Sequence, residues 1–251
     1  MTPRFAANVS ILFTEWPFLE RFGAAAAAGF DAVEFWWPEQ PLEAVAEAAR
    51  GHEVVLINFD GGALAAGERG YLNDPAREER WRAHVPEAVA FARTVGCGQM
   101  NALVGLALPE VPRAEQLARA VEQVRFAARA AAPITVLIEA INTLDHGPYL
   151  VSSTAEAAAF ARAVGEPNVA LQFDVFHMAR MGEDVFAALR EHIDVIAHVQ
   201  IADHPGRGEP GSGSLDFDAL YALLDELGYD GWVSAEYRPT GATEASLSWL
   251  R

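Results

Sequence analysis

The sequence predicts an α/β protein, a single-domain (β/α)8 TIM barrel spanning residues 1–251, and three observations carry that expectation. Apolar, β-branched runs alternate with alanine-rich amphipathic segments eight times in 251 residues, at about 30 residues per unit, the length of a βα repeat. The runs are too continuously apolar for a sheet with one wet face, which fits a parallel sheet covered by helices. Four of them also end in an oxygen-bearing side chain. Ile134 to Ile138 leads into Glu139, Val169 to Phe173 into Asp174, Val195 to Val199 into Gln200, and Trp232 to Ala235 into Glu236. Parallel strands of one sheet would bring those four ends to one face.

Phe5 to Val9 reads as the first strand, and Trp16 to Ala28 as a helix with Pro17 in its first turn and Gly29 available for a left-handed cap. Ala32 to Trp36 is a second strand carrying Glu34, followed by a helix from Leu42 to Arg50 that Gly51 closes. Glu53 to Asn58 is the third strand. It runs into the glycine-bearing loop Asp60 to Gly70, long enough to be a candidate lid. Pro75 to Val95 is a long helix, Gln99 to Val104 the fourth strand, Arg113 to Ala131 the fourth helix and Ile134 to Glu139 the fifth strand.

Asn142 to Val151 reads as a polar loop, and Ser153 with Glu156 three residues on has the pattern of a capping box opening the next helix. Val169 to Asp174, Val185 to Glu191 and Val195 to Gln200 repeat strand, helix, strand. His204 to Ser214 is a second Gly/Pro-rich loop, Leu215 to Leu227 a helix closed by Gly228, Trp232 to Glu236 the eighth strand, and Ala242 to Leu250 a final helix. No linker divides the chain. The first strand-to-helix turn, Ser10 to Glu15, lacks the glycines of a dinucleotide-binding fold.

Composition narrows the chemistry. A formal charge of −17 opposes a nucleic-acid partner, whose phosphates need clustered basic residues. All 18 basic residues are arginine, so Schiff-base chemistry on a lysine is excluded, as are the P-loop lysine and a lysine-held pyridoxal phosphate. The single Cys97 reads as a buried small hydrophobe in a reducing compartment. Met1-Thr2-Pro3-Arg4-Phe5 has no apolar signal-peptide core, and no run reaches the roughly 18 apolar residues of a membrane span. A cytoplasmic protein is expected, with no membrane partner; a homo-oligomer is compatible with the composition.

The strand carboxyl ends present Asn8, Glu34, Asn58, Asn101, Glu139, Asp174, Gln200 and Glu236. Glu139, Asp174 and Glu236 would repel one another unless a cation sat among them, and an oxygen-rich site suits Mg²⁺ or Mn²⁺ better than zinc. His177, three residues past Asp174, either orients a ligand, contacts substrate or is a solvated loop residue. His198 points to the same side as Gln200 by strand alternation. Arg207, Arg69 and Arg238 are each placed to meet a substrate carboxylate, and the sequence does not choose among them. Trp36 and Trp37 read as packing residues.

Across nearly its whole length the chain resembles the hydroxypyruvate isomerase family, within the larger group of sugar-isomerase-like and endonuclease-IV-like barrels. The resemblance is carried by Arg4-Phe5-Ala6-Ala7-Asn8, Gly29-Phe30-Asp31-Ala32-Val33-Glu34-Phe35, Ile138-Glu139 and Phe173-Asp174-Val175-Phe176-His177. It continues in Ala197-His198-Val199-Gln200, Glu209-Pro210, Gly228-Tyr229-Asp230-Gly231-Trp232 and Glu236-Tyr237. It implies that Glu139 and Glu236 are the paired proton acceptor and donor, and that Glu139, Asp174, Gln200 and Glu236 hold a divalent metal ion. Related ketose epimerases usually carry histidine where Gln200 stands. The reaction implied interconverts hydroxypyruvate and 2-hydroxy-3-oxopropanoate through a metal-stabilised enediolate. His177, Arg207, Glu34 and Arg69 are the expected contacts to the hydroxy- or oxo-acid substrate. The alternatives are a 2-oxo-tetronate isomerase or ketose 3-epimerase using the same site and, more remotely, a metal-dependent phosphodiesterase.

Overall fold

The computed structural model describes residues 3–250; Met1, Thr2 and Arg251, the ends of the expected domain, lie outside them. Eight strands form a closed barrel in sequence order: β1 (Arg4–Asn8), β2 (Ala32–Phe35), β3 (Glu53–Asn58), β4 (Gln99–Asn101), β5 (Thr135–Glu139), β6 (Val169–Asp174), β7 (Ile196–Ile201) and β8 (Trp232–Ala235). Every neighbouring pair is parallel, including β1 with β8. Closure leaves none of these eight strands at a sheet edge.

The main outer helices are α1 (Arg21–Ala27), α2 (Leu42–Ala48), α3 (Glu78–Thr94), α4 (Arg113–Ala131), α6 (Thr154–Val164), α8 (Val185–His192) and α9 (Phe217–Glu226), with the short α5 (Thr143–His146) and α7 (Val175–Arg180) at strand ends. Their apolar faces pack on the outside of the barrel in one continuous core. A second, smaller cluster of Ala6, Ala32, Val55, Leu56, Leu137 and Trp232 is separate from it. Period-two alternation places Asn8 above Ala6, Glu34 above Ala32 and Glu139 above Leu137. The polar layer therefore rests on an apolar one.

Several boundaries depart from expectation. The first helix begins at Arg21, preceded by a 3-10 turn at Phe18–Glu20. β4 ends at Asn101 rather than Val104, because Val104 and Gly105 bridge to Gly70 and Tyr71 of the long loop instead. The helix expected over 242–250 is only a 3-10 turn, Thr243–Ser246. Thr243 Oγ1 accepts from Phe13 N–H, 230 positions away, and Ser246 Oγ donates to Thr243 O, so tertiary and local bonds take the place of a continued helix. Helix α7 was not foreseen: Asp174, as its N-cap, accepts from His177 N–H. Ser153 does cap α6 through Glu156 N–H.

Candidate active site

Barrel closure brings the strand ends together. Asp174 of β6 and Gln200 of β7 are register partners, as are Asn8 and Glu34, and Glu236 follows β8 directly, its N–H bonded to Ile201 O. Glu139, Asp174, Gln200 and Glu236 are all buried. Sequence spans of up to 97 residues thus collapse to one end of one barrel.

Glu139 Oε2 accepts from Asn101 Nδ2 at 2.7 Å. Burial, then the charges of Glu236 and Asp174, hold this carboxyl well above the ordinary carboxylate range. Burial also raises Asp174, against the pull of Arg207 and the N–H groups of His177 and Phe176. Glu236 is pushed up to about 7, again by burial, with Arg207 opposing and Asp174 and Glu34 adding to it. Its Oε1 accepts from Asn8 Nδ2 at 3.0 Å and from Trp36 Nε1 at 2.8 Å. Trp36 is thus a site residue that sequence reading assigned to packing.

Arg207 is the arginine that reaches the carboxylates: its Nη2 donates to Asp174 Oδ2 at 3.2 Å and to Glu236 Oε2. Its backbone is left-handed, φ 56°, in a loop ordered by a residue not singled out from sequence. Asp203, fully buried, accepts four backbone N–H groups, from His204, Gly211, Gly213 and Leu215. Arg69 sits farther out, its Nη1 tied to the carbonyls of Leu64 and Glu68. Burial lowers its proton affinity, as does Arg207, while Glu139 and Glu236 pull the other way; its head lies within reach of those charges.

Glu34, expected to contact substrate, is enclosed by other side chains. It has no exposed surface, its Oε1 accepts from Asn8 Nδ2 and Gln200 Nε2, and its Oε2 pairs with His198 Nε2 at 2.6 Å. Both oxygens are committed. Burial pushes this carboxyl up, but His198 and the hydrogen bonds outweigh it, and it stays below its ordinary range.

Glu139, Asp174 and His177 bring a ligand atom each within 4.8 Å of one another, the Nε2 of His177 lying 3.5 Å from Asp174 Oδ2 and 3.8 Å from Glu139 Oε1. The hydrogen-bond network assigns a different part to the imidazole. Asn142 Oδ1 accepts Asp145 N–H, so its Nδ2 turns to His177 Nδ1 at 2.7 Å. An Nδ1 that accepts leaves the proton on Nε2. Burial holds His177 well below its ordinary value, so it is neutral and presents an N–H to the site. The groups that fit a hard divalent ion are therefore the carboxylates, whose mutual repulsion a cation relieves, with Gln200 beside Asp174. Gln200 Oε1 already accepts one bond, from Gln172 Nε2 at 2.6 Å.

A closed eight-stranded barrel with buried carboxylates at its strand ends, and an arginine reaching them from a loop, defines the class. The xylose isomerase-like TIM barrel family matches residues 22–251, and the chain belongs to it. It is 41% identical to the 2-oxo-tetronate isomerase of Cupriavidus necator, covering 99% of this chain and 98% of that one. To the hydroxypyruvate isomerase of Escherichia coli it is 40% identical, over 98% of each chain. A crystal structure from Brucella melitensis described as an AP endonuclease, family 2, superposes with a TM-score of 0.94 at 38% identity, covering 99% of this chain and 98% of that one. The chain is an isomerase of this family.

Proposed function

We propose that the protein interconverts hydroxypyruvate and 2-hydroxy-3-oxopropanoate, with Glu236 and Glu139 as the proton acceptor and donor. The observation that carries the reading is the pair itself: two buried carboxyls, one at about 7 and the other held well above its ordinary range by burial and by its partner. Carboxyls raised by burial are able to exchange protons near neutral pH.

In the forward direction Glu236 Oε2 takes a proton from C3, and the C3–H electron pair forms the C2–C3 double bond of the enediolate. Glu139 then delivers a proton to C2. The hydroxyl proton on the C3 oxygen passes to the C2 oxygen, leaving an aldehyde at C3. His177 Nε2–H offers a hydrogen bond to the substrate oxygen that gains charge. Arg207 and Arg69 supply guanidinium partners for the substrate carboxylate, which makes an acid a better substrate than a neutral ketose. A divalent ion, Mg²⁺ or Mn²⁺, held by Glu139, Asp174, Gln200 and Glu236, would supply Lewis acidity to the substrate oxygens.

A four-carbon 2-oxo-tetronate is the second reading, favoured by the 41% identity to the Cupriavidus isomerase. A nucleic-acid phosphodiesterase is opposed by the −17 charge. A small-molecule acid is the expected partner, and a cytoplasmic setting suits the lone buried Cys97. The test is incubation of metal-loaded protein with each acid in D₂O, followed by NMR. Aldehyde formation with carbon-bound deuterium from hydroxypyruvate supports the reading; turnover of the tetronate alone transfers it to the second; no exchange into either acid overturns both.

A further inference from the structure

Beneath the proposed proton-transfer pair lies a carboxylate that the chemistry does not use. We propose that Glu34 is the positioning residue of the site, orienting Glu236 and Gln200 from below through the amides it holds. The inference rests on the proposed role of Glu236.

An ionised carboxylate only accepts hydrogen bonds, so any amide facing it must present its NH₂ end. Gln200 therefore gives Nε2 to Glu34 Oε1 at 2.7 Å, and its Oε1 is turned away from Glu34. Asn8 is constrained twice. Its Oδ1 accepts Ser10 N–H at 3.0 Å, and its Nδ2 then spans two carboxylates, Glu34 Oε1 at 2.9 Å and Glu236 Oε1 at 3.0 Å.

With Trp36 Nε1 also on Glu236 Oε1, that oxygen carries two donors and is saturated. Only Oε2, the oxygen that Arg207 reaches, remains to exchange a proton. His198 completes the arrangement by taking Glu34 Oε2, while its own Nδ1 has no partner. Glu34, Asn8, His198 and Gln200 are at most 1% exposed, so no water competes for these bonds. One acceptor thus sets groups on β1, β7 and the end of β8.

Two substitutions separate orientation from charge. Glu34→Gln keeps a carbonyl oxygen for Asn8 and Gln200 and turns its NH₂ to His198, whose proton can move to the unpartnered Nδ1. Glu34→Met keeps the volume but offers no acceptor. The expected result is turnover within about threefold of wild type for the first, and a kcat lower by roughly 10–100-fold with KM little changed for the second.

A reading independent of turnover is the side-chain amide resonances of Asn8 and Gln200 in ¹⁵N-labelled protein. They should be shifted and slow to exchange in wild type and Glu34→Gln, and averaged in Glu34→Met. Wild-type amides and kcat in Glu34→Met overturn the proposal. So does equal damage in both variants, which would make the negative charge the essential feature. If Glu34→Met does not fold, Trp36→Phe, at a half-buried residue, removes the other donor to Glu236 Oε1. It should lower kcat by about tenfold without changing KM; an unchanged kcat overturns the positioning of Glu236. Should the wild type turn over neither acid, the proposed function fails, and the amide resonances still decide the orienting role.

Discussion

Arg207 Nη2 lies 3.2 Å from Asp174 Oδ2, and the same nitrogen reaches Glu236. The cation that the strand-end carboxylates require is thus partly supplied by the chain itself, from a loop outside the barrel. Arg207 is only 13% exposed and Asp174 2%, so this is a buried pair. Its removal leaves uncompensated charge rather than a lost surface contact.

Arg207→Met should therefore destabilise the metal-free protein by about 3 kcal/mol. Thermal melts in chelator read the loss directly. Added Mn²⁺ should recover much of it, because a divalent ion replaces the missing charge; no recovery would exclude a cation site among these carboxylates.

Glu139→Gln and Glu236→Gln should each lower turnover of the preferred acid by about 10³-fold, within the span of general acid–base contributions. Circular dichroism should stay near wild type, since each amide retains the shape and one acceptor oxygen. Residual activity near wild type in either variant removes that residue from proton transfer.

Stability against pH reads the raised proton affinity of Glu236. Its proton affinity is raised on folding, to about 7 from 4.5, so its contribution is fully present below 4.5 and lost as pH rises through 7. Relative to wild type, Glu236→Gln should then gain stability between pH 5 and pH 8, by on the order of 3 kcal/mol. Urea unfolding in chelator at the two pH values measures it; a difference that does not grow with pH contradicts the raised affinity.

Gly70→Ala tests the docking of the long loop. Gly70 has φ +82°, and a Cβ there would lie 1.9 Å from Leu103 O. A cost above about 1 kcal/mol is expected, and because Arg69 is the preceding residue, KM for the acid should rise more than kcat falls. Equal melting temperatures would show that the loop is not clamped at this point.

Asp203→Ala should disorder the loop that carries Arg207, by stripping four backbone N–H groups of their acceptor at a cost of about 1–3 kcal/mol for each left buried. Faster proteolysis within 204–215 and a fall in kcat/KM together are the expected signature; a loop as resistant as wild type would mean that Asp203 is dispensable.

The four strand-end residues were legible because strand alternation and parallel closure are local rules with a global result. Glu139 or Asp174 need only end its own apolar run to arrive at the common face. Trp36 was not legible: an indole beside another indole looks like packing, and only its Nε1 on Glu236 shows otherwise. Helix α7 was missed because its signal is Asp174, already read as a strand-end ligand. The helix expected over 242–250 failed for the opposite reason, since Thr243 and Ser246 bind backbone instead of continuing it.

By itself the sequence determined the eight strands and the helices between them, the face on which the polar residues gather and the absence of lysine chemistry, because periodicity, caps and composition act over a few residues. Only the tertiary structure decided that Arg207 rather than Arg238 meets the carboxylates, that His177 presents Nε2–H, and that Glu34 accepts from Asn8 and Gln200. Those outcomes are hydrogen-bond choices between residues up to 166 positions apart. The barrel's closure and register bring such partners within hydrogen-bond distance, and no local pattern along the chain encodes that approach.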